Sequence, residues 1–284
     1  MISKPDLISI VIPVFNGEKT ITELVDQLLN RLQKLHPIEI VLVNDCSLDR
    51  SEDVCVTLFE KYSDTVKFFS LAKNTGEHNA VIAGLHQTRG EYVIIMDDDF
   101  QNPIGEAGRL IDFALSHDYD VVYTYYRKKK HSFFRNLGSM AHQRLANIML
   151  QKPKGLYLAS FKCLNRFIVD EIIQYDLPFP YIDGLILRTT EKIGQFEVEH
   201  HPRQSGKSGY TVKKLLSLWL NSFTNFSILP LRISMILGLL FSFFGLFFGI
   251  ETILEKIANP RIPIGYASII VILSMFFGVV LVSL

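Results

Sequence analysis

The apolar positions of the first half of the chain change period in a regular order. Leu7 to Val14, LISIVIPV, is a β-branched run that stops at the turn-rich segment FNGE. Ile21, Leu24, Val25, Leu28, Leu29 and Leu32 then recur at i, i+3, i+4 and i+7, the spacing of an amphipathic helix. IEIVLVN predicts a second strand and SLDRSEDVCVTLFEKY a second helix, and VKFFSL with GEHNAVIAGLHQ repeats the unit. EYVIIM predicts a fourth strand, a helix follows from about Ile104 to Ser116, and DVVYTYY predicts a fifth strand. Near-continuous apolar strands alternating with helices imply an α/β fold, a mostly parallel sheet with helices on both faces. In such a sheet ligands sit beyond the carboxyl ends of the strands.

The pattern changes at the C-terminal end. Ile233 to Ile250 holds no charged residue, and neither does Ile262 to Leu284. Each run is long enough to cross a hydrocarbon core of roughly 30 Å as a helix. Two buried core helices are the alternative, but a soluble core helix rarely runs so far without a polar face. The expectation is two transmembrane helices, with the second continuing to the last residue and leaving room for a tail beyond it. Lys207, Lys213, Lys214 and Arg232 precede the first run, so the positive-inside rule puts the N-terminal part in the cytoplasm. No secretory signal is expected from the short polar opening. The 284 residues carry no formal net charge, which excludes a general nucleic-acid binder. Cys46, Cys55 and Cys163 match neither a zinc spacing nor a disulfide framework, as expected in a reducing compartment.

Four polar segments each follow a predicted strand: Asn16, NDCS at 44–47, KNTGEHN at 73–79 and DDDFQ at 97–101. One acidic loop alone would be only a turn, but four polar loops on one rim suggest a site. Asp97 and Asp99 occupy alternate positions, which in an extended segment brings two carboxylates together. Hard oxygen ligands of this kind suit Mg²⁺ or Mn²⁺ bridging to phosphate oxygens, with Gln101 as a neutral addition. A nucleotide diphosphate would supply those oxygens.

In order and spacing, SIVIPVFN, VNDCSLDRS, KNTGEHNAVIAGL and MDDDFQNP resemble the inverting glycosyltransferases of the GT-A fold. They look most like the branch that moves a sugar from a nucleotide to a polyprenyl phosphate, typified by dolichyl-phosphate-mannose synthase. That branch reads Asp-x-Asp-x-Gln-x-Pro in its fourth motif, and Asp97, Asp99, Gln101 and Pro103 fill those places. RQSGKSGYTVKKLL resembles its segment before the membrane, and the two apolar runs with GYAS also match. The resemblance implies that Pro13 and Phe15 line the base pocket and that Asp45 accepts from the imide N–H of the base. It implies that Lys73 helps bind the sugar donor, and that Asp97, Asp99 and Gln101 hold the metal and diphosphate. Three positions depart from the pattern. Gly17 stands where relatives often have Glu, with Glu18 next; Lys73 replaces an Arg; Gly209 replaces a Lys.

RKKKHSFFRNLGSMAHQRLANIML, after the fifth strand, places Phe134, Leu137, Ala141, Leu145 and Ile148 at helical spacing behind a basic cluster. This reads as an interfacial helix facing anionic headgroups, with a core helix plus a solvated charge run as the alternative. Arg127, Arg135, Arg203 and Lys207, with Ser205 or Ser208, are the candidates for a lipid phosphate, since a guanidinium fork matches its oxygens. A phosphate acceptor has its second pKa near about 6, so no side chain need act as base. His78, His131, His142, His200 and His201 show no ligand spacing, and Asp183 and Glu191 receive no role.

The expected organisation is a cytoplasmic catalytic domain over 1–208, a juxtamembrane amphipathic helix over 209–227 and a two-helix anchor over 228–284. The expected partners are a nucleotide sugar, a polyprenyl phosphate such as undecaprenyl phosphate and the bilayer, with Mg²⁺ or Mn²⁺ as cofactor and no nucleic acid. A homo-oligomer is left open. So are a membrane glycan synthase of another type and a membrane scaffold that binds nucleotide sugars without turnover. A processive synthase would carry Gln-x-x-Arg-Trp, whereas the single tryptophan, Trp219, sits in LLSLWLNS.

Overall fold

The computed structural model describes residues 7–100, 102, 104–126, 153, 155–178, 180–198, 229–260 and 265–283. It divides into two units, Met1–Thr211 and Val212–Leu284. In the first, elements run β1 (Ile8–Val14), α1 (Ile21–Leu32), β2 (Ile38–Asn44), α2 (Ser51–Lys61), β3 (Val66–Ser70), α3 (Glu77–Leu85), β4 (Tyr92–Ile95), α4 (Ile104–Ser116) and β5 (Val121–Tyr125). β6 (Lys162–Asn165), α5 (Arg166–Ile172), α6 (Ile182–Thr189) and β7 (Ile193–Glu197) follow. The second unit holds α7 (Leu229–Ala258) and α8 (Tyr266–Ser283).

The seven strands form one sheet in the order β3-β2-β1-β4-β6-β5-β7. β6 runs antiparallel to both neighbours, and every other pairing is parallel. The sheet is therefore mixed, with one reversed strand that the alternating pattern did not predict. KCLN is a short segment without a period, and nothing in it fixes direction. β1 lies inside the sheet between β2 and β4 with every residue but Pro13 buried, which explains its near-continuous apolar run. Ile8, Ile10, Ile12 and Val14 enter the layer built with α1, α2 and α4, while Val11 joins Val41, Val43, Ala80 and Leu85 on the other face. The six leucine, valine and isoleucine positions read from the α1 pattern are all buried.

The order of β1, β2 and β4 sets the position of the site. The chain moves outward from β1 to β2 and β3, then returns to the other side of β1 as β4, which makes a switch point between β1 and β4. The β1–β4 ladder ends at Val11–Ile95. Two residues later comes Pro13, which has no N–H to extend it, so the pairing stops at the carboxyl ends, where a doubly wound sheet places its ligand crevice.

The opposite end of the sheet is closed by a buried polar knot. Glu39 accepts from the Ser9 hydroxyl at 2.6 Å and from the Arg89 amide at 2.6 Å, and pairs with Lys67 at 2.7 Å. Burial alone would raise its pKa, but the hydrogen bonds from Lys67, Ser9 and Arg89 overcome this and hold it below the ordinary value. A lowered folded pKa contributes stability above the unfolded value, and that stability is lost as pH falls through the folded one. Glu39→Ala is thus expected to cost about 2 kcal/mol at neutral pH. The deficit should shrink in denaturant melts run progressively below pH 4.5, the value of the free group. A pH-independent deficit would assign the loss to packing instead.

Candidate active site

Four loops leave the rim, and a few side chains fix each one. After β2, Asn44 is fully buried. Its carbonyl oxygen accepts from the Ser47 amide at 3.1 Å and hydroxyl at 2.6 Å, while its amide donates to Ser70 at 3.1 Å. The turn it makes puts Cys46 in the left-handed region at φ 53°. After β1, Asn16 takes the same conformation at φ 57°. Its backbone N–H donates to the Ser47 hydroxyl at 3.0 Å, and its side chain accepts from the Leu48 amide at 2.8 Å. These bonds join the first and second loops.

Asp45 has a role that spacing alone could not reveal. It is 3 % exposed, and both carboxylate oxygens face the loop before α3. Oδ1 accepts from the Thr75 amide at 2.7 Å and the Thr75 hydroxyl at 3.2 Å, while Oδ2 accepts from the Gly76 amide at 2.9 Å. Gly76 has φ 92°, a conformation available to glycine without strain, and it opens α3. A carboxylate offers about four lone-pair sites, so roughly one remains for a ligand. Lys73 is exposed on this same loop, and Phe15, 43 % exposed, stands at the end of β1 beside Pro13.

The acidic loop follows β4. Asp99 is 6 % exposed, and the next residue, Phe100, is left-handed at φ 60°, so the chain turns aside over 98–100 rather than staying extended as the alternation suggested. Asp97 is half-buried and accepts from the Ser160 hydroxyl at 2.6 Å. Tyr126, at the end of β5, donates to Asn102 at 2.8 Å. Its pKa is pushed up to about 12, by burial first and then by Tyr157, Asp97 and Asp99. Both aspartates therefore lie within electrostatic reach of one phenol despite the turn. The fourth loop also meets the first. A β-carbon on Gly17 would come within 2.2 Å of the Asp98 carboxylate, so the glycine that departs from the family pattern permits this close approach.

Among the described residues, no group of three or more His, Cys, Asp or Glu side chains is placed to hold a metal by itself. Asp97 and Asp99 supply hard oxygens, which fits a cation that keeps waters and shares phosphate oxygens rather than one caged by protein. Gln101, Arg127, Arg135, Arg203, Ser205 and Lys207 lie outside the described residues, as do the interfacial and juxtamembrane helices. His78 is a packed histidine, edge-on to Tyr181 at 5.4 Å. The residues that sequence reasoning missed are Ser160 and Tyr126. Ser160 sits in LASFKCLN, and only its contact with Asp97 marks it.

Residues 9–173 match the family described as glycosyl transferase family 2. The undecaprenyl-phosphate 4-deoxy-4-formamido-L-arabinose transferase of Pectobacterium atrosepticum is 32% identical, over 95% of this chain and 84% of that protein. The transferase of the same name from Pseudomonas fluorescens strain SBW25 is also 32% identical, over 88% of this chain and 74% of that one. Among solved structures, glucosyl-3-phosphoglycerate synthase from Mycobacterium tuberculosis, in complex with Mn²⁺, UDP-glucose and phosphoglyceric acid, superposes with a TM-score of 0.56. It covers 77% of this chain and 79% of that one at 17% identity, a likeness of fold. A mixed GT-A sheet with two aspartates at its switch point, matched over more than half its length by one family, identifies the chain as a glycosyltransferase belonging to glycosyl transferase family 2.

Proposed function

We propose that this glycosyltransferase moves one sugar from a nucleotide diphosphate to the phosphate of a polyprenyl lipid, with inversion, at a membrane surface. The observation that carries the reading is the gathering of Asp45, Asp97 and Asp99 at the carboxyl ends of β2 and β4, with the loop after β1 touching both of their loops, in a chain whose relatives are named for undecaprenyl-phosphate sugar transfer.

In this reading Pro13 and Phe15 flank the base, Asp45 takes its imide N–H on the remaining lone pair, and Lys73 adds charge to the sugar donor's side. Asp97 and Asp99, with Gln101, would hold Mg²⁺ or Mn²⁺ and the diphosphate. A divalent cation bound there would neutralise charge on the departing diphosphate. Ser160 orients the Asp97 carboxylate, and Tyr126, kept protonated by its surroundings, lines the pocket without adding charge. Arg127, Arg135, Arg203, Ser205 and Lys207 receive the lipid phosphate. Because that phosphate is largely dianionic near neutral pH, the chain's residues act by positioning and charge complementarity, with no obligatory base.

Membrane attachment is supported by the packing inside the second unit. One helix, Leu231–Ala258, is long and apolar enough to cross a bilayer. Its large side chains, Phe243, Phe244, Leu246 and Phe247 among them, are exposed, whereas Gly238 and Gly245 are buried. Gly278 of α8 lies so close to Ser242 and Gly238 that a β-carbon would fall 2.2 Å from the Ser242 hydroxyl. Small residues inside and aromatic residues outside suit a lipid solvent, where close backbone approach drives helix association. We assign α8 as a second span, the domain division to 1–208, 209–227 and 228–284, and the catalytic face to the cytoplasmic side, on the basic residues before the first span.

The test is a panel of UDP- and GDP-sugars supplied to membranes carrying the protein, with undecaprenyl phosphate and Mg²⁺ or Mn²⁺, and lipid products read by mass spectrometry. One new lipid-phosphate-sugar that needs the cation is the expected result. A nucleotide sugar bound but never consumed would favour the scaffold reading.

A further inference from the structure

Below the rim, on the face shared with α3, α5 and α6, lies a buried polar cluster that the reaction above leaves unused. Lys162 opens β6 and Asp183 lies in the first turn of α6, and both are buried. They form an ion pair through Asp183 Oδ1, and the Tyr123 hydroxyl donates to that same oxygen at 2.9 Å. The Lys162 ammonium also lies 5.0 Å from the centroid of the Tyr123 ring. Tyr181, two residues before Asp183, meets His78 edge-on, and His78 follows the loop that Asp45 clamps. Burial lowers the His78 pKa, with Asp183 opposing and Lys162 reinforcing, so all three share one electrostatic environment.

Strand geometry ties this cluster to the acidic loop. Lys162 pairs with Ile95 across the β4–β6 ladder. Asp97 lies two residues beyond Ile95, and Ser160 lies two residues before Lys162. Both lie just outside the ladder, yet their 2.6 Å hydrogen bond keeps the two chains side by side one pair beyond Ile95 and Lys162. The Ser160–Asp97 hydrogen bond therefore sits one step above the ion pair. Between them, Phe161 is fixed to β5 by its carbonyl, which accepts from the Thr124 hydroxyl at 2.7 Å. Ser160, Phe161 and Lys162 thus each have a partner on a different element.

A buried ammonium–carboxylate pair contributes little net stability over apolar side chains of the same volume, because desolvation offsets the attraction. Stability gives no reason to place one here, whereas geometric definition does. We propose that the Lys162–Asp183 pair is a positioning device: it fixes the start of β6 against α6 and so holds Ser160, and through it the Asp97 carboxylate, in the orientation that the cation and diphosphate require. This rests on reading Asp97 as a ligand for that cation.

The test is a double-mutant cycle on the full chain in nanodiscs. Y123F/K162M/D183L removes both charges and the stranded phenol with side chains of similar shape. Mn²⁺ binding in the presence of UDP or GDP is followed by electron paramagnetic resonance, which needs neither acceptor nor turnover. The variant should melt at or above the wild type yet bind Mn²⁺ about 10-fold more weakly. Ser160→Ala should cost about 10-fold in the wild type but less than about 2-fold in the variant, because both changes release the same carboxylate. Unchanged affinity in the variant, or an equal Ser160→Ala cost in both backgrounds, overturns the proposal. If the variant does not accumulate, Asp183→Glu keeps the charge and shifts it by one methylene, and the Ser160→Ala comparison is read there by the same rule. A wild-type protein that holds no Mn²⁺ with either nucleotide removes the Asp97 reading, and this proposal with it.

Discussion

Asp99→Asn is expected to lower turnover by about 10³-fold while leaving the melting temperature equal or slightly raised. The two signs come from the same environment. Asp99 is buried directly after Asp97 and Asp98, so neutralising it relieves repulsion between carboxylates without changing volume. The amide keeps one acceptor oxygen but brings no charge to a cation. Product formation measured by mass spectrometry at saturating Mg²⁺, beside a thermal melt of the same preparation, separates the two effects. Turnover above a tenth of wild type would show that the Asp99 carboxylate is not a principal anchor of the cation. A melting temperature that fell with activity would point to a structural role instead.

Asp45→Ala is expected to raise the KM for the sugar nucleotide by roughly 100-fold, the equivalent of about 3 kcal/mol lost from a charged hydrogen-bonding group. The substitution removes three hydrogen bonds to Thr75 and Gly76 and leaves their amides to water. The loop before α3 is then held to residue 45 only through Asn74, whose side-chain amide donates to the backbone carbonyl of residue 45 at 3.1 Å. Asparagine is a poor rescue. Its carbonyl can accept from Thr75, but its amide would then present N–H groups to the Gly76 N–H. Initial rates across a sugar-nucleotide titration decide the matter. An unchanged KM with a lowered melting temperature would leave Asp45 as a clamp alone and remove it from the base pocket.

Much of the first half was legible because its side chains repeat. The buried positions of α1 follow from Ile21, Leu24, Val25, Leu28, Leu29 and Leu32, and α4 spans Ile104–Ser116 as the pattern predicted. Gathering Asn16, Asp45 and Asp97 on one rim followed from parallel topology, since every strand before them points the same way. The second half was harder. β6 has four residues and no alternation, so neither its existence nor its reversed direction was readable. Asp183 and Ser160 were opaque for a related reason: each acts through a partner more than twenty residues away, in a register that only pairing with Ile95 establishes. The acidic loop was legible in composition but not in shape. Phe100 is left-handed without being glycine, and no local rule marks a bulky residue for that conformation.

The reversal of β6 has a consequence for how such a chain can diversify. In the parallel part of the sheet, each connection leaves the catalytic rim and returns to the opposite end, so lengthening it disturbs a helix that covers the core. The segment between β5 and β6 is different: it departs from Tyr125 and comes back to Lys162, both at the same rim. Apart from Tyr126 and Ser160–Phe161, which hold Asn102, Asp97 and Thr124, it can lengthen, shorten or exchange sequence while the strand order and the aspartate loops stay as they are. Change in that one excursion therefore spares the crossover helices, and the rim can be remodelled on this side without rebuilding the core.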